Sequence, residues 1–330
     1  MKLIRYAHAS GPRVAQLHDG QIVDPIAVGD ALGLFDAAAR RTLSSTEAVI
    51  AGGKAALQHM ERARQAAEAH ALALPALADV ALLPPLIPPI ILCAGSNYVD
   101  HNKEKAESPL KGKEPEFFLK SPTCVIGPRQ AILWDRRVTA KLDYEVELAI
   151  VIGKPGRHVR VEDALDHVFG YTILNDVTAR DRQVRVRDGV TWYELGSSKN
   201  FDSSAPLGPC ITTADDIPDP QNLDLQTTVN GEVRQNNNTR SMKFGVAYLI
   251  HFFSVNLTLH PGMIISTGTP GGTGWASDPQ LGGVSYKRDD IVRPAGYLRA
   301  DDHIACTIEH IGTLENRVRV VGEAVNTTRS

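Results

Sequence analysis

Residues 142–152 read LDYEVELAIVI, and their pattern constrains the fold more than any other segment of the chain. Side chains in a β-strand point alternately to its two faces, so Asp143, Glu145 and Glu147 share one face. The four residues at 149–152 are all apolar, which is typical of a strand covered on both faces. The sequence therefore predicts a buried strand that begins with a row of acids.

A row of acids next to a buried strand needs a compensating charge. Like charges on one face repel each other, and burial adds the cost of removing each carboxylate from water. A bound divalent cation resolves both problems, and oxygen ligands suit Mg²⁺, Mn²⁺ or Ca²⁺ better than Zn²⁺. The alternative is a strand at a solvated edge that carries spare acids. The pattern alone leaves both interpretations open.

Asp176 follows the apolar residues 171–174, at the point where a strand ends and a helix is predicted to begin. Ligands are often placed at such ends. The same position also suits a helix N-cap, a role that aspartate performs well. Two acids from one strand and Asp176 from the end of another would make a three-carboxylate site with positions left for substrate or water.

His101 and Glu104 follow the apolar residues 90–94. If this segment is helical, the two side chains are three residues apart on one face and can touch. A carboxylate beside an imidazole raises its pKa and fixes its tautomer, which makes a usable general base. The alternative is an exposed histidine in a polar loop.

Two further segments are less informative. Residues 268–274 read GTPGGTG and resemble a turn whose backbone N–H groups bind an anion, although a plain loop is the alternative. They match neither a P-loop nor a dinucleotide fingerprint. The arginines at 180–187 are diluted by Asp181 and Asp188, so we expect a solvated face there.

The chain is predicted to divide at residues 84–89, where four prolines in six residues exclude a helix and form a stiff connector. Residues 1–83 are predicted to form a small N-terminal accessory domain of short strands and helices. Residues 90–330 read mostly as strands that do not alternate regularly with helices. We therefore expect an α+β, mainly β fold with a large antiparallel or mixed sheet.

Composition excludes several classes of protein. The 330 residues carry 35 Lys and Arg against 38 Asp and Glu, a net charge of −3 that argues against nucleic-acid binding. No apolar run approaches the ~18 residues of a membrane span. The N-terminus lacks a signal-like apolar region. The four cysteines are scattered without a C-x-x-C pair, as expected of a cytoplasmic protein.

Taken together, the motifs resemble the fumarylacetoacetate hydrolase family, over roughly residues 86–322. They occur in the family's order, as GSNY (95–98) with Asp100, His101 and Glu104, then DYEVEL (143–148), NDVTARD (175–181) and TGTP (267–270). VNGEVRQ (229–235) and MIIS (263–266) also agree. The resemblance implies a mixed β-sandwich roll, a divalent metal, commonly Mg²⁺ or Mn²⁺, and a homodimer. It also implies small-molecule substrates with a 2-oxo or 2-hydroxy acid head.

The resemblance also implies roles for individual residues. Glu145, Glu147 and Asp176 match metal ligands, and His101 and Glu104 match a catalytic pair on a mobile lid. Lys199 matches a catalytic cation, although residues 184–198 look longer than usual. The positions that match substrate-binding residues are Tyr98, Arg180, Gln183 and Thr269. Ser96 stands where many members have Arg or Lys, and residues 277–300 look like an insertion, so both affect which substrate is expected.

The resemblance implies a metal-dependent hydrolase that cleaves a C–C bond in a 2,4-dioxo acid of the acylpyruvate type. In that hypothesis the substrate binds the metal, His101 and Glu104 activate water, and an enolate leaves. The same parts would support oxaloacetate decarboxylation or keto–enol isomerisation as alternatives. A binding protein with an inactive site is the alternative of a different class.

Overall fold

The computed structural model describes residues 1–104, 114–187, 190–283 and 296–322. Strands dominate this part of the chain. They are β1 (Lys2–Tyr6), β2 (Arg13–His18), β3 (Gln21–Val23), β4 (Leu82–Leu83), β5 (Ile91–Gly95), β6 (Glu116–Lys120), β7 (Val125–Ile126), β8 (Ala131–Trp134), β9 (Leu142–Asp143), β10 (Val146–Ile152), β11 (Val168–Asn175), β12 (Thr178–Ala179), β13 (Val184–Arg187), β14 (Val190–Tyr193), β15 (Ala205–Thr213), β16 (Asp224–Val229), β17 (Glu232–Asn238), β18 (Ile264–Ser266), β19 (His303–Ile308) and β20 (Gly312–Val320). The α-helices are α1 (Pro25–Leu32), α2 (Ala37–Thr42), α3 (Thr46–Ala69), α4 (Val99–Lys103), α5 (Arg180–Gln183) and α6 (Val246–Asn256).

Strand β10 lies inside an 11-stranded sheet, between β11 and β18. Its apolar side chains pack into two different hydrophobic cores. Leu148 and Ile150 pack into one hydrophobic cluster, whereas Ala149 and Val151 pack into another. All seven residues of β10 are buried, so the predicted double coverage is confirmed.

The expected continuous strand over 142–152 is wrong, because β9 and β10 are separated by Tyr144 and Glu145. Strand β9 pairs with β12 in a small sheet of its own. Asp143 accepts hydrogen bonds from the backbone N–H groups of Gly274 (2.8 Å) and Trp275 (3.1 Å). These long-range bonds fix the start of the segment in a different sheet.

A second sheet of five strands, in the order β17-β16-β19-β20-β8, packs against the first. Leu225 of β16 and Ile304 of β19 share a core cluster with Leu148 and Ile150 of β10. The hairpin β16–β17 turns at Asn230-Gly231, where both residues have positive φ, as is typical of an Asn-Gly hairpin turn. The mainly β, α+β sandwich expected from the sequence is confirmed.

The N-terminal segment shares the large sheet. Strand β1 pairs antiparallel with β15, and helix α3 contributes Val49 and Met60 to the cluster that covers the second face of β10. Helix α3 is kinked at Gly53, where φ is 53°. Backbone hydrogen bonds therefore join residues 1–83 to the rest of the chain, and the division at 84–89 stays a prediction.

Two predicted helix starts are wrong. The sequence predicts a helix over Met242–Val255 with Ser241 as a cap, whereas α6 begins at Val246 with Gly245 as N-cap. The start differs because Asn97 binds the backbone of residues 243–244. The pattern Ser44-x-x-Glu47 predicts a capping box with Ser44 as the cap. Helix α3 is instead capped by Ser45, whose Oγ accepts the N–H of Ala48 at 3.1 Å. Of the predicted insertion at 277–300, residues 284–295 lie outside the described residues. No helix in the described part of the chain has the length and apolarity needed to cross a membrane.

Candidate active site

Three carboxylates meet where β10 and β11 pair. Glu145 precedes β10, Glu147 lies in it, and Asp176 directly follows β11. The Asp176 N–H donates to the Glu145 carbonyl at 2.8 Å, which fixes the two chains at this point. One oxygen of each carboxylate lies within 4.8 Å of the others, and all three side chains are buried. These acids are therefore not on a solvated edge.

Asp143 does not join this group. The Nε atom of Arg180 donates to Asp143 Oδ2 at 2.7 Å, and a second nitrogen of Arg180 donates to Glu145. The shared face predicted for three acids therefore holds for Glu145 and Glu147 only. The break between β9 and β10 turns Asp143 toward Arg180 instead.

Two buried lysines also face the carboxylates. Lys199 Nζ donates to Glu145 Oε2 at 2.5 Å and to Asp176 Oδ2 at 2.6 Å. Lys120 Nζ lies 2.7 Å from Asp176 Oδ1 and donates to the Lys199 carbonyl at 2.6 Å. Lys120 is not among the site residues predicted from the sequence. The available signal was its position two residues after Phe118 on β6, since both then point to the buried face.

The protonation states follow from this arrangement. Burial raises the pKa of Glu147, and the neighbouring charges of Asp176 and Glu145 raise it further. Burial also opposes ionisation of Glu145, but Arg180 and Lys199 outweigh it and hold its pKa well below the usual range. Without a cation, Glu147 is therefore the carboxylate that retains a proton.

The three carboxylates fit a hard divalent cation. Every donor is an oxygen, as Mg²⁺, Mn²⁺ and Ca²⁺ require. Asp176 Oδ1 makes no hydrogen bond of good geometry, although Lys120 is within ion-pair distance. A dication would also offset the charge repulsion that raises the pKa of Glu147. The donor set is therefore suited to the metal that the sequence predicted.

His101 and Glu104 form a buried pair on and just after α4. His101 Nδ1 lies 2.7 Å from Glu104 Oε2, the contact that the spacing predicted. Glu104 also accepts hydrogen bonds from the Gly272 N–H (2.6 Å) and from Thr273 Oγ1 (3.1 Å). Burial raises the pKa of Glu104 to about 8. His101 lines the same cavity as the three carboxylates, so it is not an exposed loop histidine.

The glycine-rich turn at 268–274 binds anions that belong to the protein itself. The Gly268 N–H donates to Glu147 Oε2 at 3.1 Å, and Gly272 N–H donates to Glu104. The predicted capacity of this turn to bind carboxylates is thus used to hold the carboxylates of the site.

Most of the other predicted site residues line the same cavity. Arg180, Gln183, Lys199 and Thr269 all contribute to its wall. Thr269 Oγ1 donates to the Val146 carbonyl at 3.0 Å. Tyr98 is not part of this wall, since it is fully buried in the hydrophobic core. The roles assigned to these residues from the resemblance stay predictions.

Gly272 tolerates no side chain, which gives a first testable prediction. Its φ is +104°, and a Cβ atom there would lie 2.0 Å from the Arg234 carbonyl oxygen. We expect Gly272→Ala to lower the free energy of unfolding by about 1–3 kcal/mol through backbone strain. The displaced N–H would also loosen Glu104. Chemical denaturation measures the loss, with Gly282→Ala as control, because Gly282 also has positive φ but open space around it. Equal losses in both variants would contradict the role of the Arg234 contact.

Comparison with known proteins places the chain in a family. The family model described as fumarylacetoacetate (FAA) hydrolase C-terminal matches residues 90–319. This chain belongs to the fumarylacetoacetate hydrolase family. The match includes all three clustered carboxylates and the His101–Glu104 pair, so the resemblance drawn from the motifs is confirmed.

Two similar members of the family carry names that specify a reaction. The human protein named oxaloacetate tautomerase FAHD2A, mitochondrial, is 40% identical over 256 residues, which cover 78% of this chain and 74% of that protein. Oxaloacetate tautomerase YisK of Bacillus subtilis is 40% identical over 244 residues, which cover 73% of this chain and 74% of that protein.

Solved structures of family members share the fold over the whole chain. The fumarylacetoacetate hydrolase of Exiguobacterium antarcticum is 33% identical with a TM-score of 0.73, covering 97% of this chain and 99% of that one. A maleylpyruvate hydrolase from a Sphingobium species, solved with manganese (II) ion and pyruvate, is 29% identical with a TM-score of 0.69 and the same coverage. The chain is therefore an enzyme of this family.

Proposed function

We propose that this enzyme is a divalent-metal-dependent keto–enol tautomerase of a short 2-oxo acid of the oxaloacetate class. The observation that carries the proposal is the buried His101–Glu104 pair, which opens on the same cavity as the three-carboxylate cluster. A base beside a cation site suits the removal of a proton next to a 2-oxo group. The two relatives at 40% identity, both named oxaloacetate tautomerases, support this choice.

Glu145, Glu147 and Asp176 are proposed to hold the cation, either Mg²⁺ or Mn²⁺. When bound, it would supply Lewis acidity that makes the proton on carbon 3 easier to remove. His101 would take that proton on Nε2, while Glu104 holds the other ring nitrogen and fixes the tautomer. Overall, one proton moves from carbon 3 to the oxygen on carbon 2, and nothing else is consumed.

The remaining polar residues of the wall are proposed to bind the substrate. Lys199 carries a positive charge beside Glu145 and Asp176 and would stabilise negative charge that develops on the substrate oxygens. Arg180, Gln183 and Thr269 would orient the carboxylate next to the 2-oxo group. The homodimer and the cytoplasmic location stay predictions.

Hydrolysis of an acylpyruvate C–C bond is the second candidate. The structural likeness to a maleylpyruvate hydrolase over nearly the whole chain favours it. In this reaction His101 would deprotonate a water molecule that attacks the distal carbonyl carbon. Decarboxylation of oxaloacetate would use the same binding residues but needs no attacking water.

One assay separates these reactions. The purified enzyme with Mg²⁺ or Mn²⁺ is given oxaloacetate, acetylpyruvate and fumarylpyruvate in parallel. Loss of enol absorbance is followed together with pyruvate release. We expect rapid interconversion of enol and keto oxaloacetate without pyruvate. Cleavage of an acylpyruvate with no effect on oxaloacetate would overturn the tautomerase in favour of the hydrolase, and pyruvate from oxaloacetate would indicate the decarboxylase.

The raised pKa of Glu104 predicts the pH dependence of the reaction. Below about pH 8 this buried carboxyl holds a proton, and above it the carboxylate accepts the Nδ1 proton of His101. We therefore expect kcat/KM to rise with pH through the pKa of about 8. Between the ordinary pKa of a glutamate and about pH 8, the free energy of unfolding should fall as pH rises. In this interval Glu104 keeps its proton in the folded protein but has lost it in the unfolded chain. Glu104→Gln should remove the rising limb, and an unchanged profile in this variant would assign the limb to another group.

A further inference from the structure

The helix that carries His101 is too short to hold its own position. Helix α4 comprises only Val99–Lys103, and isolated helices of this length are not stable in water. Its position must come from contacts with the rest of the protein. The cavity it helps to enclose has a free volume of only about 20 Å³, near the space of one water molecule. His101 lines this cavity, so the contacts that hold α4 also set the position of the imidazole.

The chain that leads into α4 is held by the side chain of Asn97. Its Nδ2 donates to the Thr267 carbonyl at 2.8 Å and to the Phe244 carbonyl at 3.0 Å. Its Oδ1 accepts the Phe244 N–H at 2.8 Å. These bonds anchor the chain two residues before the helix on two different segments, but they leave the orientation of the helix itself to be set by residues further along.

Asp100 supplies the next contact. Its Oδ2 accepts the Gly271 N–H at 3.0 Å and Asn237 Nδ2 at 2.7 Å, and the side chain is 6% exposed. A Cβ atom on Gly271 would lie 2.9 Å from this oxygen, so a side chain there would crowd the carboxylate. Asp100 does not line the cavity.

Asp100 and Glu104 act on adjacent amides. Asp100 accepts the N–H of Gly271, and Glu104, one helical turn later, accepts the N–H of Gly272. The helix is therefore joined to the glycine-rich turn by two acidic side chains, and both also contact His101. Glu104 Oε2 lies 2.7 Å from the His101 imidazole, and Asp100 Oδ1 accepts the His101 backbone N–H at 3.0 Å. A buried N–H that loses its acceptor keeps the full cost of its removal from water, so both bonds favour the position of α4 against the turn.

We propose that Asp100 is a positioning residue that holds α4 closed against the glycine-rich turn and so keeps His101 directed into the cavity. The inference rests on the proposed role of His101 and Glu104. It assigns to Asp100 no contact with substrate or cation. Its removal should leave cation binding intact and lower the fraction of molecules in which the base is in place.

Kinetics give the first test, with Asp100→Ala, Asp100→Asn and Val99→Ala compared. We expect Asp100→Ala to lower kcat by about tenfold to hundredfold, because the buried Gly271 N–H loses its acceptor. Mn²⁺ affinity, measured by titration with the metal alone, should not change. Asp100→Asn keeps an acceptor oxygen and should restore most of the rate. Val99→Ala, on the exposed side of the same helix, should match the wild type.

Two measurements test the inference without activity. Hydrogen exchange reports the amides of Gly271 and Gly272. With Trp134 and Trp192 both replaced by phenylalanine, acrylamide quenching reports Trp275, which is buried and whose ring lies 6.3 Å from that of His101. Asp100→Ala should raise both the exchange rate of these amides and the quenching of Trp275. If Asp100→Ala does not fold, Gly271→Ala should show the same two increases. Unchanged exchange, quenching and kcat would overturn the role of Asp100. A wild type without activity would refute the proposed function, while the exchange data would still decide this inference.

Discussion

Replacing His101 with alanine is expected to lower kcat on an accepted 2-oxo acid by about 10²–10⁴-fold, the usual contribution of a general base. The imidazole is buried, is held by Glu104 at 2.7 Å, and lines the cavity formed by the three carboxylates. Its removal takes away the proton acceptor without touching Glu145, Glu147 or Asp176. Steady-state kinetics with saturating Mg²⁺ measure the loss.

The matched control for this variant is His70→Ala, at an exposed position beyond α3 and far along the chain from the site. It should keep the full rate. Mn²⁺ titration should give the same affinity for His101→Ala as for the wild type, which separates loss of the base from loss of the cation. Full turnover in His101→Ala would refute the assignment of His101 as the base, whichever of the candidate reactions the enzyme performs.

The sequence predicted the parts of the site that depend on short-range patterns. Glu145 and Glu147 are two residues apart, which predicted that their side chains lie together. The apolar run at 149–152 predicted a strand that is buried on both faces. The three-residue spacing of His101 and Glu104 placed their side chains in contact, because α4 is helical. Each of these inferences uses geometry that a strand or helix carries within itself.

Residues whose position depends on distant partners could not be predicted in the same way. Asp143 left the row of acids because Gly274, Trp275 and Arg180 bind it from other segments. Helix α6 began four residues later than expected because Asn97 binds the backbone at 243–244. Tertiary hydrogen bonds of this kind override local propensity and leave no local signal.

Lys120 illustrates a third kind of limit. Its pattern was readable, because it alternates with exposed residues on β6, yet a buried lysine is rare enough that a surface role is the default. Only the placement of β6 beside β5 brings it to Asp176. A lysine on the inward side of an edge strand is therefore a useful sign that a carboxylate lies opposite.

Replacing Glu147 with glutamine is expected to lower the affinity for Mn²⁺ by at least about a hundredfold, because even residues that only support a metal ligand are worth 10–100-fold. The amide keeps an oxygen that can accept from the Gly268 N–H and from Ser266, so the fold should be retained. In the wild type, cation binding should also release a proton near neutral pH, since burial and adjacent charges raise the pKa of Glu147. Calorimetry in two buffers of different ionisation enthalpy measures both quantities.

Thermal unfolding provides the control for this last prediction. A saturating excess of Mn²⁺, at 100 times Kd, should stabilise the wild type by about 2.7 kcal/mol, and Glu147→Gln should lose most of that gain. Glu162→Gln, at an exposed acid, and Asp143→Asn, at the acid that faces Arg180, should both keep it. If Asp143→Asn lost the stabilisation by Mn²⁺ and Glu147→Gln kept it, the cation would have to bind beside Asp143, on the other side of Arg180. A gain that survives in every variant would place the cation away from this cluster altogether.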